Sequence, residues 1–157
     1  MNEIVIRSPA KINLSLSVLD KRDDGYHNLK THFQLVDIYD HLKFKLDKKG
    51  KIRIKSKEIY LNDEDNTIYN AVKRLLDYRN NNDGIEIEVK KNIPLGSGLG
   101  GASSNAASTL IALNKLWSLN LEKEKLMEIA SSIGSDVPFF VFGKNAIGEG
   151  TGNRLNK

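Results

Sequence analysis

The chain has 157 residues, 39% of them hydrophobic and 28% charged, with a formal net charge of +4 at pH 7 and no cysteine. That length and balance fit one soluble folded domain with a buried core and exclude a disordered chain. They also exclude disulfides and thiolate metal sites, no apolar run reaches the length of a bilayer span, and a cytoplasmic setting fits best.

The N-terminal stretch "MNEIVIRSPAKINL" lacks the basic start and long apolar run of a signal peptide. In "KINLSLSV", Ile12, Leu14, Leu16 and Val18 alternate with Lys11, Asn13, Ser15 and Ser17. This period of two predicts a half-buried strand with Lys11 and Asn13 on its polar face. "KRDDGYH" supplies Asp-Gly turn chemistry, and "LKTHFQLVDIYDHLKFKLD" reads as one or two further strands. Lys49-Gly50 is predicted to turn "LKFKL" back into "KIRIK", so that the opening third forms an antiparallel meander. The lysines of "KLDKKGKIRIKSKE" are scattered and predict a solvated basic hairpin rather than a polyanion site.

Ile68, Ala71, Val72, Leu75 and Leu76 then fall at helical spacing, with Asp65 or Asn66 placed to cap the start. "GIEIEVKKNI" returns to strict alternation, Ile85, Ile87 and Val89 facing one way and Glu86, Glu88 and Lys90 the other. "SSNAASTLIALNKLW" predicts a buried helix, and "NLEKEKLMEIASSIG" an amphipathic one capped by Asn120. "SDVPFFVF" reads as a loop entering a buried strand, and "NAIGEGTGNRLNK" as the beginning of another. Strands gathered early and helices later predict an α+β domain with helices on one sheet face.

Between the alternating strand and the buried helix lies "PLGSGLGGASSN", with four glycines in the six residues Gly96 to Gly101. Glycine loses the most backbone freedom on ordering, so such a cluster weakens a fold unless bare backbone is needed. The spacing satisfies G-x-G-x-x-G, a pattern shared by several phosphate-binding designs. A dinucleotide-binding first strand is buried on both faces, whereas "GIEIEVK" alternates. No lysine-bearing strand of the protein-kinase type follows, and the Gly-Lys-Ser/Thr of a Walker A loop is absent. What remains is a loop running into a helix start, whose unpaired N–H groups and positive dipole end suit an anion.

"SPAKINLSL" and "PLGSGLGGASSNAAS" resemble the first two motifs of the galactokinase, homoserine kinase, mevalonate kinase and phosphomevalonate kinase superfamily. "DGYHNLKTHFQLVDIYD" and "GSDVPFFVFG" narrow the resemblance to the 4-diphosphocytidyl-2-C-methyl-D-erythritol kinase family of non-mevalonate isoprenoid synthesis, over residues 6 to about 150. The resemblance implies a two-layer α+β sandwich like ribosomal protein S5 domain 2, with a left-handed βαβ crossover. It implies ATP and Mg²⁺ as cofactors and a small-molecule partner, cytidine diphosphate-linked methylerythritol. Neither a membrane nor a nucleic-acid partner is expected, since the aromatic–basic interleaving of nucleic-acid binders is absent.

Residue by residue, the resemblance implies Lys11 and Asp136 as a catalytic pair, the carboxylate taking the acceptor hydroxyl's proton and the ammonium stabilising the developing charge. It implies that Pro94, Leu95, Gly96, Ser97, Gly98, Leu99, Gly100, Gly101, Ala102, Ser103, Ser104 and Asn105 wrap the ATP phosphates. Ser104 is implied for the metal, and Asn66, Thr67 and Lys91 lie near the adenosine. Asn13 would bond the acceptor, Tyr26 would stack on the cytosine, an interaction worth about 1–3 kcal/mol per base, and His27 would bond the cytosine edge. Phe33 walls that pocket or joins the core. The family carries Gly-x-Gly-Glu where "GTGN" places Asn153. Its members also continue for a comparable length beyond the counterpart of Lys157. Residues 1–157 are therefore expected to form the N-terminal ATP-binding kinase domain without the C-terminal substrate domain, with apolar surface exposed and slow turnover at best. The alternatives left open are another small-molecule kinase of the superfamily, an S5-like RNA-binding module, and a non-catalytic nucleotide-binding module.

Overall fold

The computed structural model, which describes residues 1–58, 66–150 and 154–157, begins with a long antiparallel ribbon of β1 (Glu3–Lys21) and β2 (His27–Asp47). Then follow β3 (Ile52–Ser56), α1 (Thr67–Leu75), a 3-10 turn at Leu76–Tyr78, β4 (Gly84–Lys90) and α2 (Gly101–Leu116). The chain finishes with α3 (Lys123–Ser131), α4 (Val137–Phe142), β5 (Ala146–Gly150) and β6 (Arg154–Asn156). The sheet order is β3-β4-β2-β5-β6, with β1 on the other edge of β2. One edge of β2 thus carries β1 along its length, and the opposite edge carries β4 at 41–47 and β5 at 29–33. The stretch between those two partners is where the candidate site forms.

Three predicted features differ, two of them whole elements. Lys49-Gly50 does turn, with Gly50 at φ 79° and its N–H donating to the Asp47 carbonyl at 3.1 Å. Yet β3 does not return along β2; it pairs parallel with β4, which lies between them. The reason is burial. Ile85, Ile87 and Val89 of β4 suit a central strand, whereas Arg53 and Lys55 of β3 suit a charged edge. Parallel neighbours require a crossover, and α1 supplies it. "VPFFVF" forms α4 rather than a strand. Its aromatic and β-branched residues resemble a strand in isolation, but Pro138 sits in the first turn, where a helix tolerates it, and Gly143 ends the helix at φ 75°.

Asn66 caps α1, its side-chain oxygen accepting the Tyr69 N–H at 2.8 Å; Asp65 and Asn153 fall outside the described residues. Asn120 does not cap α3, which starts from Glu122; it turns the chain between α2 and α3 at φ 57°. The core lies between the helices and one sheet face, where Leu42, Phe44, Ile85 and Ile87 meet Ile68, Val72, Leu110 and Leu113. α2 is buried nearly all round, as its small residues allow, so its polar Ser104, Asn105, Ser108 and Thr109 must find partners inside. Among the described residues no helix is long and apolar enough to cross a membrane.

Candidate active site

The glycine loop between β4 and α2 uses its four glycines in two ways. Gly96, Gly98 and Gly100 have φ of 68°, 75° and 75°, a region that side chains strain. A Cβ at Gly96 or Gly98 would meet nothing within 4 Å. One at Gly100 would lie 2.9 Å from Phe140 Cζ and 3.1 Å from Lys11 Cγ, and one at Gly101 3.0 Å from Ile93 Cγ2. The first two glycines therefore leave an open cradle, and the last two let the helix start close in on β1, α4 and the segment that follows β4. A cavity of about 200 Å³ results, walled by Pro94, Leu95, Gly96, Ser97, Gly98, Gly100, Gly101, Ala102 and Ser103, with Lys91 and Asn105 at its inner end.

Within the loop, Ser97 donates its hydroxyl to the Pro94 carbonyl at 2.6 Å, closing the turn on itself. The Leu99 carbonyl accepts the backbone N–H of Lys11 at 2.9 Å, so the loop is stitched directly to β1. This bond places Lys11 beside the cradle. Its side chain is 8% exposed and its Nζ lies 3.7 Å from Asp136 Oδ2. Asp136 stands at the N-cap of α4 but makes no side-chain capping hydrogen bond, and its side chain is 35% exposed. The carboxylate is thus held near an ammonium while still open to a ligand. Lys11 Nζ also donates to Asn13 Oδ1 at 2.6 Å, and Asn13 Nδ2 donates to Thr31 Oγ1 at 2.8 Å. Phe33 is buried, stacked on Phe139 at 4.5 Å between centroids, with Lys11 Nζ 6.0 Å above its ring. It forms the floor under the pair and belongs to the core.

Ser104 requires a correction. Its hydroxyl is fully buried and bonded to Ser8 Oγ at 2.8 Å, because α2 turns that position toward β1 rather than toward the cradle. Ser103, one residue earlier, lines the cradle instead. Thr67 Oγ1 donates to the Ala102 carbonyl at 2.9 Å, tying the start of α1 to the start of α2, beside the capping Asn66. Lys91 lies at the seam between the cradle and a neighbouring cavity of about 440 Å³ lined by Ser56, Lys57, Glu58, Val89 and Lys90.

Tyr26 and His27 are not gathered with this group. They are exposed at the tip of the ribbon, in a turn where Arg22 N–H donates to the Tyr26 carbonyl at 2.6 Å and Gly25 has φ 87°. His27 pairs with Lys21, and the strand from Lys11 to Lys21 spans about 33 Å if fully extended. Register shifts at Pro9/Ala10, Asn13/Ser15 and Val18/Lys21 bend it.

The sequence reading passed over a polar group beneath the loop. Asp40 is fully buried; its Oδ1 accepts the N–H groups of Asn92 at 2.6 Å and Ile93 at 2.8 Å, and its Oδ2 accepts from Lys91 Nζ and from Asn105 Nδ2 at 2.9 Å. Asn105 Nδ2 and Ser108 Oγ both reach Ser8 Oγ, at 3.2 and 3.1 Å. The signal was present: Asp40 shares the inward parity of Leu42 and Phe44, and a carboxylate on the apolar side of an alternating strand needs partners.

Known proteins share this chain's sequence pattern and fold. The model of the GHMP kinases N terminal domain matches residues 66–144. The 4-diphosphocytidyl-2-C-methyl-D-erythritol kinase of Methylococcus capsulatus is 47% identical over 148 residues, which are 94% of this chain and 51% of that protein. A crystal structure of 4-(cytidine 5'-diphospho)-2C-methyl-D-erythritol kinase superposes with a TM-score of 0.83 at 36% identity, covering 98% of this chain and 54% of the other. The Methanococcus jannaschii mevalonate kinase shares the fold, with a TM-score of 0.70 at 16% identity over 99% of this chain and 55% of its own. The chain spans about half the length of the curated relatives it matches. The match of that family model over half of the chain shows that the chain belongs to the GHMP kinase N-terminal domain family.

Proposed function

We propose that residues 1–157 supply the ATP-binding part of a cytoplasmic small-molecule kinase. It phosphorylates a hydroxyl of 4-diphosphocytidyl-2-C-methyl-D-erythritol in the non-mevalonate synthesis of isoprenoid precursors. One observation carries this reading: an ammonium and a carboxylate 3.7 Å apart, beside an open glycine cradle that begins a helix. The relatives named for that activity support the choice of acceptor.

The backbone of Gly96 to Gly101 would bind the phosphates, since two Cβ-free positions face open space and the first turn of α2 offers unpaired N–H groups. The neighbouring cavity at Ser56–Glu58 and Val89–Lys91 suits the adenosine. No cluster of three or more acidic or histidine side chains preforms a metal site among the described residues. Mg²⁺ would therefore arrive on the phosphates, as it commonly does, with Ser103 the hydroxyl at hand. When bound it would supply positive charge to offset that of the phosphates.

In the transfer itself Asp136 Oδ2 accepts the proton of the acceptor hydroxyl. The acceptor's hydroxyl oxygen, thus deprotonated, forms its bond to the γ-phosphorus as the bond from phosphorus to the bridging oxygen of ADP breaks. Lys11 stabilises the carboxylate before the reaction and the charge on the transferred group during it, and Asn13 fixes the ammonium through its side-chain carbonyl. Tyr26 and His27 take the cytosine in this reading, which requires the bent ribbon to bring its tip toward the pair.

The test is ADP formation by the full chain with Mg-ATP, at protein in excess of acceptor because turnover is expected to be slow. Formation is expected with the cytidyl acceptor and not with homoserine or mevalonate. Asp136→Asn is expected to slow it roughly 10²–10⁴-fold, the usual share of a general base. A preference for another acceptor, or a rate indifferent to Asp136→Asn, contradicts the proposal.

A further inference from the structure

We infer that Asp40 is a positioning residue for the nucleotide, acting through Lys91 and through the backbone that leads into the glycine loop; this rests on the ATP-binding reading above. Asp40 has no solvent exposure, and four donors converge on its two oxygens. Two of them, the N–H groups of Asn92 and Ile93, belong to the backbone immediately before the cradle. The third, the Lys91 ammonium, donates also to Asn105 Oδ1 at 2.9 Å. The fourth is Asn105 itself, inside the first two turns of α2. A single buried carboxylate therefore fixes the start of the loop, the helix that ends it, and the one ammonium at the seam of the two cavities.

An ammonium has three N–H groups, and two of those on Lys91 are committed to Asp40 and Asn105. The third has no partner among the described residues, and Nζ lies 3.2 Å from where a Cβ of Gly101 would stand, at the first residue of α2. A lysine side chain loses considerable rotamer freedom when ordered. Asp40 and Asn105 remove that freedom before the nucleotide arrives, so binding need not supply it. The catalytic pair does not use this group: Lys11 and Asp136 are linked to Asn13 and Thr31 instead.

The experiment is a double-mutant cycle on the full chain, reading the dissociation constant for ADP by calorimetry in Asp40→Asn, Lys91→Met and the double variant. Asp40→Asn keeps an oxygen for the Asn92 and Ile93 amides but sets an NH₂ group against the ammonium. Each single variant is expected to weaken ADP binding by roughly tenfold or more, the scale of a hydrogen bond to a charged group. The double variant is expected to lose no more than Lys91→Met alone, since Asp40→Asn keeps the backbone bonds and disturbs the route through that side chain. Additive losses, or an unchanged constant in Asp40→Asn, would overturn the inference while leaving the nucleotide-binding reading intact. A wild-type chain that binds no ADP overturns both. Should Asp40→Asn not fold, hydrogen exchange of the Asn92 and Ile93 amides in the wild-type chain decides. Slowing by about tenfold with ADP supports the inference, and rates indifferent to ADP overturn it.

Discussion

At its Glu3–Lys11 end the β1–β2 ribbon is covered by helices on one face and extended by β4 along its free edge; Ser8, Ala10, Asp40, Leu42 and Phe44 are all fully buried there. At its Asn13–Lys21 end the same two strands carry an apolar row that nothing covers. Leu14, Leu16 and Val18 are 63%, 58% and 62% exposed. The alternation of "KINLSLSV" is genuine, but the predicted half-burial fails: Lys11 lies inside, and from Asn13 to Val18 the residues of both faces are exposed. Alternation shows that a strand has two unlike faces. Which face is covered depends on the helices, and those pack only where β4 and α2 reach. Lys11 and Asp136 sit where the covered end gives way to the open one, with one partner held in packed structure and the other open to a ligand.

The contrast can be broken from the buried side first. Phe139 is fully buried and stacks on Phe33 under Lys11. Phe139→Ala is expected to cost about 3–5 kcal/mol in denaturant unfolding of the full chain. A loss under about 1 kcal/mol would show that this end is not packed as described.

The loop offers a sharper version. Gly100→Ala introduces a Cβ 2.9 Å from Phe140 and 3.1 Å from Lys11 at φ 75°, whereas Gly98→Ala meets open space at the same φ. Both carry the left-handed backbone penalty of about 1–2 kcal/mol. Only Gly100→Ala should add a packing loss, of roughly 1–3 kcal/mol, and move Lys11. Equal stability of the two variants would contradict the division of the glycines into cradle and contact.

The smallest effect belongs to the open end. Replacing Leu14, Leu16 and Val18 together by Ser is expected to change unfolding free energy by no more than about 0.5 kcal/mol per site, as for exposed positions. A drop of several kcal/mol would mean that the row is covered in solution.

How much was legible follows the same boundary. The alternation of β4, the burial of α2 and the Asn66 cap are local signals, and they hold because neighbours a few residues away create them. The glycine loop was legible as open backbone running into a helix start for the same reason, since that pattern has a meaning without tertiary context. The pairing of β3 with β4 was not legible, because a Lys-Gly turn specifies a reversal and not the neighbour. α4 was misread because "VPFFVF" in isolation suits a strand, and only its packing against α2, α3 and Phe33 rewards a helix. Ser104 was misassigned for want of one angle: the helix turns Ser103 outward and Ser104 inward, and no residue type reveals that phase. Lys11 and Asp136 were named by resemblance; their ion pair is a product of the fold, 125 residues apart in sequence.

The most direct measurement is an amide NMR titration of the full chain with a non-hydrolysable Mg-ATP analogue. Saturable shifts are expected to concentrate on Gly96–Ser103, Lys91 and Lys11, with little change at the basic turn Asp47–Lys51. No binding, or shifts centred on that basic turn while the glycine loop stays unmoved, would contradict the assignment of the cradle and its Lys11–Asp136 pair as a kinase centre.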